Sequence, residues 1–173
     1  MIVGLSGKFC SGKSRAAQHL VERFGFREVA FANKLKDVCG DLFNMQGKER
    51  TLLQEVGMKM REVDPLVWVR YPLRDAKPTD NIVVSDVRYR NEADYIRLQG
   101  GLLIRLECPT GELLRRYRFL YGVTPTADQV YHVSETDLDD YDRFGKFDYH
   151  VNSTTTMCDE LTGIMEGLKC PRT

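Results

Sequence analysis

The stretch Gly7-Lys8-Phe9-Cys10-Ser11-Gly12-Lys13-Ser14 decides the fold class of this 173-residue chain. It matches the pattern G-x-x-x-x-G-K-[ST] at every fixed position, and its two glycines let successive backbone N–H groups turn towards one anion. In this pattern the lysine reaches the β- and γ-phosphates of a nucleotide, and the serine hydroxyl binds Mg²⁺. Lys13 is therefore a candidate catalytic residue and Ser14 a candidate metal ligand. We expect ATP and Mg²⁺ to be bound here by Gly7, Lys8, Cys10, Ser11, Gly12, Lys13, Ser14 and Arg15.

The segments around this loop predict the rest of the fold. Residues 1–5 are apolar on both faces, as in a buried strand, and an amphipathic helix follows the loop as far as Gly25. Further strands are predicted at 27–31, 82–84, 102–106 and 147–151, with helices at 34–43, 48–63, 66–73 and 91–99 and a polar, weakly periodic stretch at 121–146. This alternation indicates an α/β, three-layer P-loop NTPase fold, with a central, mostly parallel sheet of about five strands and helices on both faces. We expect a single domain over residues 1–173.

Composition and charge argue against several classes of protein. The chain has 25 lysines and arginines against 25 aspartates and glutamates. This zero formal net charge argues against a dedicated nucleic-acid binder, although it leaves room for a local basic cleft. The five cysteines are widely spaced without a CxxC pair, which favours reduced thiols. No apolar run has transmembrane length and no leader precedes the first strand, so we expect a cytoplasmic protein with no membrane partner.

Asp86 follows the predicted strand at 82–84, and ligands of parallel sheets bind beyond the carboxyl ends of the strands. If this strand neighbours the first one, Asp86 projects towards the phosphate loop. A carboxylate there can act in catalysis by accepting a substrate proton, or it can hold Mg²⁺. A helix cap is the alternative role for such an aspartate. Arg88 and Arg90 come next and can contact an acceptor phosphate, with a solvated face as the alternative.

One face of the predicted helix at 48–63 combines polar side chains with a glycine. Arg50, Gln54, Gly57 and Arg61 fall within a stripe about 60° wide, roughly 120° away from the apolar face. The glycine leaves room for a close approach to the backbone. We interpret this stripe, in a helical segment at about 45–75, as the wall of an acceptor site. Charges kept for solubility are the alternative.

A second cluster of arginines follows the fourth predicted strand. Arg115, Arg116 and Arg118 lie on a predicted helix that leads into the polar stretch. We expect the region at about 110–146 to form a lid that closes over ATP, with Arg115 and Arg118 as candidate catalytic residues that neutralise the transferring phosphoryl group. The sequence does not decide which arginine acts. The alternative is exposed helix charge, with Glu112 and Arg116 paired at positions i and i+4.

Short motifs along nearly the whole chain resemble one family. They are Gly4-Leu5-Ser6-Gly7, Phe31-Ala32-Asn33-Lys34-Leu35-Lys36, Leu52-Leu53-Gln54, Trp68-Val69-Arg70, Ser85-Asp86-Val87-Arg88, Asn91-Glu92, Ser134-Glu135 and Val151-Asn152-Ser153-Thr154. In this combination the chain resembles the deoxynucleoside monophosphate kinases typified by bacteriophage enzymes, within the P-loop nucleoside monophosphate kinase-like superfamily. The resemblance implies an ATP-dependent phosphotransferase that transfers the γ-phosphoryl group to a (deoxy)nucleoside monophosphate, giving the diphosphate and ADP.

The resemblance also implies contacts to both substrates. Asn152 and Thr154 would lie near the adenine of ATP. Phe31 or Trp68 would stack on the base of the acceptor, with a place in the core as the alternative for either ring. The other expected contacts to the small-molecule acceptor are made by Lys36, Arg50, Gln54, Arg61, Arg70 and Arg88.

The identity of the acceptor stays open at this point. Asn33 stands where the family often has aspartate, which is consistent with a different acceptor. The same fold group includes dephospho-CoA kinases, phosphomevalonate-type kinases and an enzyme that phosphorylates a modified base within DNA. Outside enzymes, the alternative is a non-catalytic NTP-binding switch, although the sequence lacks the late Asn-Lys-x-Asp base reader of a guanine-specific switch. Whether the chain forms a homodimer is also left open.

Overall fold

The computed structural model describes residues 1–47 and 49–169, apart from the side chains of Arg50 and Lys169. Its strands are β1 (Ile2–Ser6), β2 (Arg27–Val29), β3 (Ile82–Val87), β4 (Leu102–Glu107) and β5 (Tyr149–Asn152). Its helices are α1 (Lys13–Phe24), α2 (Phe31–Phe43), α3 (Arg50–Val63), α4 (Val67–Leu73), α5 (Arg90–Leu98), α6 (Thr110–Tyr121), α7 (Ala127–Tyr131), α8 (Val133–Thr136), α9 (Asp139–Arg143) and α10 (Met157–Lys169). None of these helices has the length and apolar character that crossing a membrane requires.

The five strands form one parallel sheet in the order β2-β3-β1-β4-β5, which confirms the predicted α/β fold. The strand that leads into the phosphate loop, β1, is therefore central. Side chains that alternate along β3 pack on opposite faces of the sheet. Val83 joins the buried cluster that includes α1 and α10, whereas Ile82 and Val84 join the cluster that includes α5. Helices thus cover both faces of the sheet, as its continuous apolar strands require.

The carboxyl ends of β1 and β3 meet at one edge of the sheet, where Ser6 is aligned with Val87. The phosphate loop leaves β1 directly after Ser6. Because β3 continues to Val87 instead of ending at residue 84, Asp86 lies inside the strand. This corrects the prediction that Asp86 follows the strand, but it still places the residue next to the loop.

Several other elements differ from their predicted bounds by one to three residues, and α2 begins at Phe31 instead of residue 34. The predicted strand at 27–31 ends at Val29, because Phe31 already begins α2. The last strand covers Tyr149–Asn152, and Phe147 is buried ahead of it. The helix predicted at 66–73 is confirmed as α4.

The polar stretch at 121–146 is more ordered than its weak periodicity predicts, since it contains α7, α8 and α9. Its carboxyl end belongs to the core. Leu138 is 3% exposed, and Tyr141 packs edge-on against Phe147 while its hydroxyl donates to Asp94 at 3.1 Å. The proposed lid is therefore anchored at its end, and a moving part would be confined to the residues before Leu138.

This anchoring predicts different effects of two substitutions in the stretch. Leu138→Ala removes a buried side chain, so we expect the free energy of unfolding to fall by about 2–4 kcal/mol. Tyr131 is 75% exposed, so Tyr131→Ala should change the free energy of unfolding by less than about 0.5 kcal/mol. Urea denaturation measures both values. Equal, small effects would show that residues 121–146 are not anchored in the core.

Candidate active site

The phosphate loop has the curled backbone that its glycines predict. Gly7 and Gly12 have φ angles of 145° and 93°, and Cys10 lies in the left-handed region with φ of 54°. A Cβ at Gly7 would lie 2.8 Å from the carbonyl oxygen of Leu106, so a larger residue does not fit there. The loop leads into α1 at Lys13, and the amino end of this helix adds partial positive charge. This geometry suits an anion.

Lys13 is folded back onto the loop. Its Nζ donates hydrogen bonds to the carbonyl oxygens of Gly7 at 2.7 Å and Lys8 at 2.8 Å. Burial, and after it the positive charge of Arg88, lower the pKa of Lys13 to about 7. A phosphate beside Nζ would raise this pKa again, because a nearby negative charge favours the protonated amine. Lys13 is thus placed to respond to an anion in the loop.

One open cleft of about 1040 Å³ joins the loop to α2, α3 and α6. This volume lies at the upper end of the range of about 300–1,000 Å³ that is usual for a small-ligand site. The predicted site residues that line the cleft are Cys10, Ser11, Gly12, Lys13, Ser14, Arg15, Lys36, Gln54, Arg61, Asp86, Arg88, Arg115 and Thr154. Among the residues that the structure describes, those predicted for the site but outside this lining are Gly7, Lys8, Phe31, Trp68, Arg70, Arg118 and Asn152.

Asp86 caps a helix and also lines the cleft. Its two carboxylate oxygens accept hydrogen bonds from the backbone N–H groups of Phe31 at 2.7 Å and Ala32 at 2.9 Å, in the first turn of α2. Asp86 is therefore a helix cap, as the alternative interpretation predicted. The helix that it caps, α2, lies far from Asp86 in the sequence. The carboxylate also lines the cleft, and each of its oxygens has a second lone pair. A metal role remains a prediction.

Arg61 is held in place by two neighbours that sequence reasoning did not assign to the site. Its guanidinium lies over the ring of Tyr89, 4.4 Å from the ring centroid. Its Nη2 lies 3.5 Å from Oε1 of Glu92. Because these contacts already restrict the side chain, Arg61 loses less conformational freedom when it binds an anion.

Glu92 is buried between two of the predicted acceptor arginines. Its Oε2 accepts hydrogen bonds from the backbone N–H groups of Arg88 at 2.8 Å and Tyr89 at 3.1 Å, and its Oε1 faces Arg61. Burial, and next the negative charge of Asp86, raise the pKa of Glu92 to about 7. The sequence signal for this residue is its place in the third position of α5, where a glutamate closes a capping box.

The aromatic side chains proposed to stack on a base are wrong assignments. Phe31 is 2% exposed and Trp68 is 4% exposed, so neither ring offers a face to a ligand. The indole N–H of Trp68 donates to the carbonyl oxygen of Gly57 at 3.2 Å. Gly57 itself serves helix packing, since a Cβ there would lie 3.1 Å from the side chain of Leu35. Trp68 therefore packs in the cluster between α2 and α3, and Phe31 packs in the cluster that joins α4 to the sheet.

Arg70 is absent from the described lining of the cleft, and the predicted role of Arg50 falls on a side chain that the structure does not describe. Arg70 pairs with Asp64 at 3.1 Å on an exposed surface. Arg50 begins α3, but its side chain lies outside the described part of the chain. The stripe on α3 therefore contributes Gln54 and Arg61 to the site.

Among the lid arginines, the one that contacts the phosphate loop is Arg116, which was not among the predicted catalytic residues. Arg116 donates to the carbonyl oxygens of Cys10 at 3.2 Å and Ser153 at 2.9 Å, and its Nε donates to Glu112 at 2.8 Å. Arg115 is exposed and paired with Glu112 at 2.7 Å, while Arg118 donates to Thr124 outside the cleft. Arg115 and Arg116 both line the cleft, Arg116 contacts the phosphate loop, and Arg118 lies outside the lining, so Arg116 joins Arg115 as a candidate. The pairing of Glu112 with Arg116 is confirmed.

The segment after β5 reaches the cleft through residues other than Asn152. The side chain of Asn152 accepts hydrogen bonds from Thr154, which fixes the turn that follows the strand. Thr154 and Ser153 line the cleft. The hydroxyl of Ser153 is buried and has no hydrogen-bond partner among the residues described. A buried hydroxyl without a partner is costly, so a ligand atom that bonds to it would be stabilised.

The cap at α2 predicts the effect of Asp86→Asn in the absence of nucleotide and metal. Asparagine keeps one acceptor oxygen, so one of the two amides of α2 loses its partner. We expect the free energy of unfolding to fall by about 1–2 kcal/mol, measured by urea denaturation. Asp75→Asn, at an exposed residue, is the matched control. If the two variants are equally stable, the α2 amides do not depend on Asp86.

The raised pKa of Glu92 predicts a pH dependence of stability. Between its ordinary value of 4.5 and about 7, the folded protein keeps a proton that the unfolded chain releases. Stability should therefore fall as the pH rises through this window, by on the order of 1–3 kcal/mol. Urea denaturation at pH 5 and pH 7 measures the difference, because above about pH 7 the lowered pKa of Lys13 makes stability rise with pH and opposes the effect. Glu92→Gln, which does not titrate, should show a smaller difference, and an unchanged one would contradict the assignment.

Two curated proteins are similar to this chain in sequence. A protein of Acanthamoeba polyphaga mimivirus, described as "Putative deoxynucleotide monophosphate kinase", is 31% identical over 145 residues, covering 63% of this chain and 75% of the relative. "Uncharacterized protein ORF76" of Ictalurid herpesvirus 1 (strain Auburn) is 26% identical over 192 residues, covering 99% of this chain and 75% of the relative. No protein-family model matches the chain.

Solved structures with the same fold are also kinases. A gluconokinase from Sinorhizobium meliloti 1021 matches with a TM-score of 0.60 at 16% identity, covering 96% of this chain and 94% of the gluconokinase. Shikimate kinase from Aquifex aeolicus VF5 matches with a TM-score of 0.55 at 17% identity, covering 97% of this chain and 98% of the other. At such identities these matches show the fold, and the mimivirus relative shows the family. The chain belongs to the deoxynucleotide monophosphate kinase family and is a P-loop phosphotransferase, as its motifs predict.

Proposed function

We propose that this enzyme transfers the γ-phosphoryl group of ATP to a (deoxy)nucleoside monophosphate, giving a diphosphate and ADP. The observation that carries the proposal is a single cleft that has the phosphate loop on one side and Lys36, Arg61 and Arg88 on the other. Transfer between two anionic substrates needs both to be bound close together with their charge neutralised. The family of the mimivirus relative supports the same acceptor class.

The donor side of the cleft suits ATP with Mg²⁺. The loop amides and Lys13 would hold the phosphates, and Arg116 would add positive charge beside Cys10. Ser14 and Asp86 both line the cleft and offer oxygen ligands, which Mg²⁺ prefers. Bound there, Mg²⁺ would neutralise charge on the phosphate oxygens. The role of the chain itself is to position the two substrates and to exclude water.

The acceptor side suits a nucleotide with one phosphate. Arg61 and Arg88 can contact its phosphate, and Arg61 is already held by Tyr89 and Glu92. The rest of this wall has both apolar and amide side chains, which suit the faces and edges of a base: Leu53, Met58, Asn33 and Gln54. This mixture replaces the stacking role that we first gave to Phe31 and Trp68.

Other phosphorylated acceptors remain the alternative within the same cleft. Dephospho-CoA and phosphomevalonate also present a phosphate or hydroxyl to a P-loop donor, and a modified base in DNA would need a longer basic surface. A coupled ADP-release assay with dNMPs, NMPs, dephospho-CoA and phosphomevalonate separates these cases. We expect turnover with one or more nucleoside monophosphates. Binding of ATP with no ADP release in the presence of any of these acceptors would instead favour a non-catalytic NTP-binding switch.

Substitutions on the two sides of the cleft should have different kinetic effects. Lys13→Ala should lower kcat by about 100-fold or more, because it removes a charge aimed at the reacting phosphates. Arg61→Ala and Arg88→Ala should mainly raise KM for the acceptor, by about 10- to 100-fold, since each removes a charged hydrogen bond. Steady-state rates with each substrate varied in turn measure these effects.

Arg74→Ala is the matched control for the two acceptor arginines. Arg74 is exposed and paired with Asp75 outside the cleft, so Arg74→Ala should leave kcat and the acceptor KM within about twofold of the wild-type values. If Arg88→Ala also leaves the acceptor kinetics untouched, the assignment of the acceptor site is wrong.

A further inference from the structure

A carboxylate of the lid region lies within the phosphate site. Glu135, in α8, accepts a hydrogen bond on Oε2 from the backbone N–H of Phe9 in the phosphate loop, at 2.7 Å. Its Oε1 forms a close ion pair with Nη1 of Arg88. The side chain of Glu135 is 7% exposed. Both oxygens are therefore engaged, one by the loop and one by an arginine of the acceptor wall.

The backbone around Glu135 is bound to the loop as well. Nζ of Lys8 donates to the carbonyl oxygen of Glu135 at 2.6 Å and to the carboxylate of Asp139 at 2.6 Å. Nη1 of Arg88 also lies 3.4 Å from the carbonyl oxygen of Ser134. The contact is thus a docking of α8 onto the phosphate loop, made by several groups.

These contacts and those of a bound phosphate exclude each other. The N–H groups of a phosphate loop are donors for phosphate oxygens, and an arginine pairs with a phosphate as it does with a carboxylate. A carboxylate cannot share these donors with a phosphate, because two like charges a few ångströms apart repel each other. Whichever anion is bound takes the donors from the other.

We propose that Glu135 is a positioning residue that takes the place of phosphate in the loop and is displaced when ATP binds. While its contacts last, it keeps Arg88 beside the phosphate loop and Lys8 paired with α8. Displacement releases Arg88 to a phosphorylated substrate and frees α8 from the loop. This inference rests on the proposed binding of ATP.

Competition of this kind has a measurable consequence. A contact that keeps about 80–90% of the protein in the Glu135-bound arrangement lowers the apparent affinity for ATP by about five- to tenfold. Glu135→Gln keeps the shape of the side chain but removes the charge that holds Arg88. Glu135→Gln should therefore bind ATP more tightly than the wild type does. In the absence of ATP, the variant should be less stable than the wild type.

The test is calorimetric titration of wild-type protein, Glu135→Gln and Asp137→Asn with ATP and Mg²⁺, in the absence of an acceptor. We expect about five- to tenfold tighter binding by Glu135→Gln. Tripolyphosphate, which carries only the phosphates, should show a gain of similar size. Asp137→Asn removes a lid carboxylate that pairs with Arg90 away from the loop, so its affinity should equal that of the wild type.

Melting temperatures without ATP complete the test. Glu135→Gln should melt below the wild type, so stability and ATP affinity should change in opposite directions. A purely structural role would lower stability and leave ATP affinity unchanged, and a role as an ATP or Mg²⁺ ligand would weaken ATP binding. Either result would overturn the inference.

Two further outcomes are distinguishable. If Glu135→Gln does not fold, Glu135→Asp serves instead, because its shorter carboxylate keeps the charge but cannot reach Phe9 and Arg88 together. It should bind ATP more tightly than the wild type, and equal binding would overturn the inference. If the wild type itself does not bind ATP, the proposed function fails and not merely the role of Glu135.

Discussion

Positive charge gathered in one cleft has to be balanced by anions, and this requirement explains how the site is built. Lys13, Arg61 and Arg88 bring positive charge to the carboxyl edge of a parallel sheet, where burial penalises an unpaired ion. The chain supplies a balancing anion of its own in Glu135, which is paired with Arg88, while Glu92, whose pKa is raised to about 7, faces Arg61. A phosphorylated substrate brings the same kind of charge. The cleft is thus organised around anions, whether they belong to the chain or to a ligand.

The sheet explains why these charges meet. The order β2-β3-β1-β4-β5 puts the strand that carries the phosphate loop in the centre, next to the strand that carries Asp86. Asp86 then connects the sheet to α2 by capping its first turn, which helps to fix the helix that carries Lys36 into the cleft. Asp86 therefore both caps α2 and lines the cleft.

The sequence could predict the parts of the site that local patterns determine. The spacing of Gly7, Gly12 and Lys13 was enough for the loop, because the backbone of eight residues sets its geometry. Patterns could not decide between Arg115, Arg116 and Arg118, since the choice depends on how α6 is rotated against a loop about 100 residues earlier. The sequence could not assign Trp68 either, because a large aromatic ring can pack in the hydrophobic core or stack on a nucleobase. Glu135 had no local signal beyond a short motif, since its partners are tertiary.

Phosphorus-31 NMR of the purified enzyme with ATP, Mg²⁺ and a nucleoside monophosphate, taken from the acceptors that are turned over, tests the central claim most directly. We predict that the γ-phosphorus signal of ATP declines while the two signals of a new nucleoside diphosphate grow at the same rate. The acceptor's monophosphate signal should decline in step. Growth of inorganic phosphate alone, with the monophosphate unchanged, would contradict phosphoryl transfer between two bound nucleotides.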